Sequence, residues 1–347
     1  MDEIYRALPG TLLPWYHLNH RQLPWRGDKE PYHIWLSEIM LQQTRVEAVR
    51  GYYTRFLDAL PTIEMLADAD DELLHKLWEG LGYYSRVRNL KKAANVIMRD
   101  YDGVFPRVYD NVLSLPGIGP YTAGAICSIA FGQPTPAVDG NVLRVISRLT
   151  DDDTPTDTPH FRKNVERKLA SAYPKEAGDF TQALMELGAT VCGPNRAPDC
   201  TACPCKAFCK GKHRAIELPK RTPKRPKREE ERTVFVVACG DRYALTKRPE
   251  KGLLAGLWQF PDAIGAFTGQ KAIDVAGELG FRVSNLLFEV EKTHIFTHIV
   301  WKMRGIYLQA SALRPEYTWL TMEEIRDSAA LPTAYRQFFE EIFEEIR

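Results

Sequence analysis

Two carboxylates, a glycine turn and a run of cysteines are the features of this chain that could do chemistry. Glu38 lies in Ile34-Trp35-Leu36-Ser37-Glu38-Ile39-Met40-Leu41, a stretch apolar nearly all round, and helical spacing sets it between Ile34 and Leu41 on one face. A carboxyl so placed is partly desolvated, which raises its pKa and keeps a proton available near neutral pH, the profile of a general acid. The plainer reading is a surface ion pair with Arg26 or Arg45. Asp139 lies in Pro136-Ala137-Val138-Asp139-Gly140-Asn141-Val142, just ahead of the apolar run Val142 to Leu149. Asp-Gly-Asn there is first of all a helix-capping sequence. Together, however, a protonated acid in an apolar helix and an ionised one at a helix start are what glycosidic cleavage through an oxocarbenium-like transition state requires.

The glycine turn is Leu115-Pro116-Gly117-Ile118-Gly119-Pro120-Tyr121-Thr122-Ala123, between the apolar lead-in Asn111 to Leu115 and the helix-like run Thr122 to Phe131. Gly117 and Gly119 allow a sharp turn that aims free N–H groups outward, as a phosphate-holding loop must. The same turn could be a bland connector. Downstream, Cys192, Cys200, Cys203 and Cys209 follow the pattern C-x7-C-x2-C-x5-C, four of the seven cysteines within eighteen residues. Without any secretory pattern, they read as metal or cluster ligands rather than disulfides; zinc and a [4Fe–4S] cluster both accept four thiolates. Cys205 is a fifth candidate thiol, while Cys127 and Cys239 fall in apolar runs and read as core residues.

The elements that must position these groups divide the 347 residues into two domains. Residues 1–218 read as an all-α catalytic domain: apolar residues recur at helical spacing in Ile4 to Tyr16, Ile34 to Met40, Val46 to Leu60, Leu73 to Trp78, Leu90 to Met98, Thr122 to Phe131, Val142 to Leu149, Phe161 to Ala172 and Phe180 to Val191. Residues 219–232 read as a basic, proline-rich linker. Residues 233–347 turn to strand-like period in Val234 to Ala238, Tyr243 to Leu245, Leu286 to Val290 and Ile299 to Leu308, with helices expected at Lys271 to Leu279 and Tyr335 to Ile346, an α+β domain.

Composition sets the outer bounds. Hydrophobic content of 44% and charged content of 26% are those of a globular protein, and no apolar run reaches the ~18 residues that would cross a bilayer, so no membrane association is expected. The N-terminus, Met1-Asp2-Glu3-Ile4, lacks a secretory pattern, which points to the cytoplasm or a nucleoid-containing compartment. Net charge is only +1, yet between Lys206 and Arg228 ten Lys and Arg face the single acid Glu217. That is a localised footprint for a polyanion, or simply a solvated linker.

Taken as a set, these motifs resemble the endonuclease III superfamily of helix-hairpin-helix DNA glycosylases. The likeness runs through the hairpin Leu115 to Tyr121, Val138-Asp139-Gly140-Asn141-Val142-Leu143-Arg144 and the cysteine loop. Within it, Leu23-Pro24-Trp25-Arg26, Ser37-Glu38-Ile39-Met40-Leu41-Gln42-Gln43-Thr44-Arg45-Val46 and Trp78-Glu79-Gly80-Leu81-Gly82-Tyr83-Tyr84-Ser85-Arg86 are similar to the MutY family of adenine glycosylases. The resemblance implies a monomer acting on double-stranded DNA with adenine opposite 8-oxoguanine, and opposite guanine as well. Glu38 would protonate the flipped adenine and assist water, and Asp139 would stabilise the sugar cation, with Tyr121 and Asn141 positioning the pair. Arg26 and Glu186 would line the adenine pocket; Gln43, Thr44, Leu81 and Tyr83 would fill or contact the stack, because a base reached by chemistry must leave it. Cys192, Cys200, Cys203 and Cys209 would hold a [4Fe–4S] cluster, although the first gap has seven residues, Gly193 to Asp199, where the family commonly has six.

Tyr121 is the discriminating position, since strand-cutting relatives carry a lysine there for a Schiff base and a phenol cannot form one. The C-terminal domain resembles the Nudix-fold reader of 8-oxoguanine in Gly256-Leu257-Trp258-Gln259-Phe260-Pro261 and His294-Ile295-Phe296-Thr297-His298-Ile299-Val300-Trp301, with Phe296, Thr297 and His298 as the reading loop and Thr297 where the family has serine. Ile273, Asp274 and Gly277 stand where a Nudix hydrolase needs its Arg and Glu residues, so a reader without hydrolase activity is expected. Two competing readings are an endonuclease III-like pyrimidine-damage glycosylase and lyase, opposed by Tyr121 and the extra domain, and a DNA binder without catalysis, opposed by the retention of both Glu38 and Asp139.

Overall fold

Proline and short polar side chains start most of the helices around the candidate site. Pro31, Pro120 and Pro159 open the helices Pro31–Leu41, Pro120–Ile129 and Pro159–Ala170, where a missing N–H costs nothing. Asp139 caps Gly140–Thr150 by accepting from Val142 N, and Thr158 caps Pro159–Ala170 by accepting from Phe161 N. The computed structural model describes residues 3–194, 197–223 and 226–345. Contacts group them into two units: Met1–Asp68 with Asn89–Pro223, and Ala69–Arg88 with Lys224–Arg347.

The first unit is helical throughout. Besides the helices already named it holds Glu3–Asn19, Val46–Ala59, Ile63–Asp68, Tyr109–Ser114 and Ala177–Glu186, together with most of Ser85–Asp100. Tyr5, Leu8, Leu12, Val142, Ile146, Leu149, Phe161, Leu169 and Phe180 form its core around Gly140–Thr150, a helix buried along almost its whole length. The expected helix Phe180 to Val191 changes character at its end: after Glu186 the chain runs through a π turn, Leu187–Val191, into Cys192. Such turns recur at functional sites. The helices Ile63–Asp68 and Tyr109–Ser114, each of six residues, were not anticipated as helices, because two turns are too short to show a period.

The second unit is built on a mixed sheet: β1 (Arg228–Cys239), β2 (Arg242–Lys247), β3 (Trp258–Gln259), β4 (Asp262–Ile264), β5 (Val283–Ile295), β6 (Ile299–Ala310) and β7 (Thr318–Thr321). Its main path is β3-β2-β1-β6-β5, with β4 on β1 and β7 on β2. β1 and β6 run parallel, Val234 opposite Gly305 and Phe235 opposite Ile306, and the other pairs are antiparallel. Alternate residues of β1 feed two cores, Val234 and Val236 packing with Tyr335 and Phe338, Phe235 and Val237 with Ala272 and Ala276. Helices thus cover both sheet faces over the second half of β1, which is why Val234 to Cys239 is an unbroken apolar run. The short strands β3, β4 and β7 and the helix Met322–Ser328 escaped the sequence reading.

Two boundaries differ from expectation. The second unit's first strand begins at Arg228, inside the expected linker, and the stretch 219–223 is strapped to the first unit: Thr156 N donates to Lys220 O at 3.0 Å and Thr222 N to Asp157 Oδ1 at 3.1 Å. Residues 69–88, expected in the helical domain, group with the second unit, since Glu72 and Glu79 are held by its donors.

Candidate active site

Glu38 sits where the apolar pattern put it, in Pro31–Leu41, buried with 6% of its surface exposed. Burial pushes its carboxyl up to about 7; the nearby Asp139 charge adds to the rise, while the Tyr121 hydrogen bond and the Arg26 charge oppose it. Tyr121 OH donates to Glu38 Oε2 at 2.5 Å, and its own phenol is raised well above its ordinary value by burial and by both carboxylates. Oε1 is left for the transferable proton.

Asp139 is a cap and more than a cap. Its Oδ1 accepts from Val142 N at 2.7 Å and its Oδ2 from Asn141 Nδ2 at 2.7 Å. Burial raises its carboxyl, and these two donors with the Arg144 charge pull it back. Asn141 is oriented in turn by Arg144, whose Nη2 reaches Asn141 Oδ1 and Gly188 O, each at 2.8 Å. Gly188 is required there: a Cβ would stand 2.7 Å from Asn141 Cβ.

Glu38, Tyr121, Asp139, Asn141, Arg26, Thr44 and Glu186 line one cavity of about 160 Å³, together with Arg21, Trp25 and Gln182. Sequence reasoning brought six of the first seven together, placed Thr44 at the DNA stack instead, and missed the last three. Gln182 lies four residues before Glu186 on one helix, so i, i+4 spacing was the available signal. Glu186 does not offer a free carboxylate. It is wholly buried; Arg21 Nε donates to Oε1 at 2.7 Å, Arg21 Nη2 to Oε2 at 3.0 Å and Arg26 Nη2 to Oε2 at 2.8 Å. Burial alone would raise this acid, but the two guanidiniums hold it down at about 2. Its part in the pocket is to aim Arg21 and Arg26.

The turn residues are presented differently. Gly117 and Gly119 are exposed between Tyr109–Ser114 and Pro120–Ile129. Gly117 has φ of +79°, and a Cβ there would meet Asn89 Cβ at 2.6 Å, so only glycine closes this turn. Gln43 is exposed at φ 58° and Tyr83, 47% exposed, at φ 48°; non-glycine residues held there carry strain. Leu81, expected at the DNA stack, is buried in the turn between Gly80 and Gly82, both at positive φ. In the second unit Phe296, Thr297 and His298 form the tip of the β5–β6 hairpin, Phe296 packing edge-on to Trp301 while Thr297 and His298 are exposed. Tyr83 OH lies 2.9 Å from Thr297 Oγ1.

Cys192, Cys200, Cys203 and Cys209 line a second, small cavity with Arg148. Cys205 does not; it is fully buried in the helical core. Arg148, itself buried, donates to Cys192 Sγ at 3.2 Å and to Gly193 O at 3.0 Å, a cation set beside the thiols. No three His, Cys, Asp or Glu among the described residues converge at metal-binding spacing; the four thiols surround a space instead.

Fold and site together define a base-excision glycosylase carrying a second, Nudix-type domain. Residues 36–174 match the HhH-GPD superfamily of base excision DNA repair proteins and residues 233–341 the NUDIX domain. The adenine DNA glycosylase of Rattus norvegicus is 36% identical, covering 98% of this chain and 78% of its own length; that of Homo sapiens is 35% identical, covering 96% and 73%. A thermostable thymine-DNA glycosylase structure is similar at 28% identity and a TM-score of 0.56, over 61% of this chain and 97% of its own. The chain belongs to the adenine DNA glycosylase family.

Proposed function

We propose that the enzyme flips adenine paired with 8-oxoguanine, or with guanine, out of double-stranded DNA and hydrolyses its N-glycosidic bond without cutting the strand. One observation carries the reading: Glu38, raised to about 7 and bonded to Tyr121, shares a cavity with Asp139 and Asn141. Glu38 supplies the proton that makes adenine a leaving group, Asp139 faces the developing sugar cation, and Asn141 fixes Asp139 through its amide. Arg21 and Arg26 edge the base pocket. Tyr121 occupies the place of a Schiff-base lysine and serves as a hydrogen-bond donor, which supports hydrolysis alone.

Gly117, Gly119, Gln43, Thr44 and Tyr83 hold the DNA, and Phe296, Thr297 and His298 read the base opposite the adenine. The donor set of four thiols around one cavity, with buried Arg148 beside it, fits a [4Fe–4S] cluster on Cys192, Cys200, Cys203 and Cys209. When bound, such a cluster cross-links the loop and holds its basic surface in shape. The protein works as a monomer in the compartment that holds the DNA.

Single-turnover release from duplexes bearing adenine opposite 8-oxoguanine or thymine, with and without later alkali, tests this. Breakage only after alkali, and only opposite 8-oxoguanine, is expected. Cleavage without alkali would overturn the role of Tyr121, and tight binding without release would make the chain a binder.

A further inference from the structure

Residues 69–88 lie within the stretch that matches the base excision family, yet they fold with the second unit. Two acidic side chains hold them there. The carboxylate of Glu79 is buried: Oε1 accepts the Leu331 N–H at 3.0 Å, and Oε2 lies 2.7 Å from both Arg336 Nη2 and Lys76 Nζ. Glu72 Oε2 accepts from Trp258 Nε1 at 3.1 Å, and its Oε1 pairs with Lys247. At the end of the segment, Arg88 Nη1 donates to Ala255 O at 2.5 Å. A buried carboxylate that satisfies a main-chain amide fixes geometry in a way that exposed ion pairs do not.

Tyr83 stands between these anchors, at a left-handed backbone angle, with its hydroxyl against Thr297 at the hairpin tip. We propose that Glu79 and Glu72 are positioning residues that make the Tyr83 turn part of the opposite-base reader, so that discrimination for 8-oxoguanine over guanine depends on two carboxylates that touch neither base. This rests on the function proposed above. The turn and the hairpin tip hold one spacing only while the segment stays clamped, and a loosened clamp lets Tyr83 leave Thr297 without disturbing Glu38 or Asp139, which lie in the other unit.

The test uses the full chain with Glu79→Ala, and with Trp258→Phe, which removes the donor to Glu72 but keeps a ring. Single-turnover adenine release is measured opposite 8-oxoguanine and opposite guanine, alongside amide hydrogen exchange. The ratio of the two rates falls about tenfold while the rate opposite guanine stays within about threefold of the parent; amides of Asp71–Leu77 exchange faster and those of Pro31–Leu41 do not. An unchanged ratio, or both rates falling by one factor, overturns the proposal. Should Glu79→Ala fail to fold, Trp258→Phe carries the same comparison. If the parent releases no adenine from either duplex, it is the functional reading that fails, and unchanged exchange in Asp71–Leu77 would then reject the clamp on its own.

Discussion

Tyr121 donates its hydroxyl proton to Glu38 at 2.5 Å, and the pair lies on two separate helices, Pro120–Ile129 and Pro31–Leu41. The bond fixes one carboxylate oxygen and favours the ionised acid, so it works against burial. The balance of the two leaves Glu38 poised at about 7.

Removing that donor moves the balance one way. Tyr121→Phe raises the Glu38 pKa further, shifting the alkaline limb of the rate–pH profile to higher pH, and lowers the rate about tenfold through lost orientation. A profile that stays in place, measured on single-turnover base release, would show that the phenol does not govern Glu38.

Glu38 itself links activity and stability to pH with opposite demands on a replacement. Its folded pKa of about 7 lies above the ordinary 4.5, so the folded chain takes up this proton first. Its contribution to stability is therefore present at low pH and lost as pH rises through 7. Glu38→Gln cannot ionise; it stabilises the fold at pH 8 by up to about 3 kcal/mol while leaving stability at pH 4 nearly unchanged. The same variant loses base release by roughly 10²- to 10⁴-fold. Thermal melts at the two pH values and single-turnover assays check both.

Asp139→Asn separates capping from catalysis. Asparagine caps a helix about as well as aspartate, so the melting temperature falls little, within about 1 kcal/mol of stability. The rate falls on the order of 100-fold or more, since an amide cannot face a developing cation with charge. A drop in melting temperature with the rate intact would restore the plain capping reading.

Cys205 and Cys203 lie two residues apart with their thiols hydrogen-bonded to each other, yet only Cys203 lines the thiol cavity, Cys205 being buried in the core. Cys205→Ala keeps the visible absorbance of the purified protein and loses about 1 kcal/mol from a small core gap. Cys203→Ala loses the absorbance. The reverse result would make Cys205 a ligand.

Much of this was legible in the chain because local signals carry it. Glu38 is conspicuous as a carboxylate in an apolar helix, Asp139 sits in a capping triplet, and β1 and β6 each carry a β-branched and aromatic stretch, Val234 to Ala238 and Ile306 to Leu308. What the sequence hid depends on contacts across many residues. Nothing local shows that Arg21 clamps an acid 165 positions on, that Leu81 turns inward, or that Glu79 binds the amide of Leu331. Short strands such as Trp258–Gln259 exist only because β2 is there to pair with them.

Glu186 receives both Arg21 and Arg26 and is itself wholly buried. Losing the acid strands two cations, while losing either arginine leaves the acid half-met. Each single replacement therefore costs more than the hydrogen bonds it removes. The three side chains act as one coupled unit, so the cost of replacing Glu186 depends on whether both arginines are still there.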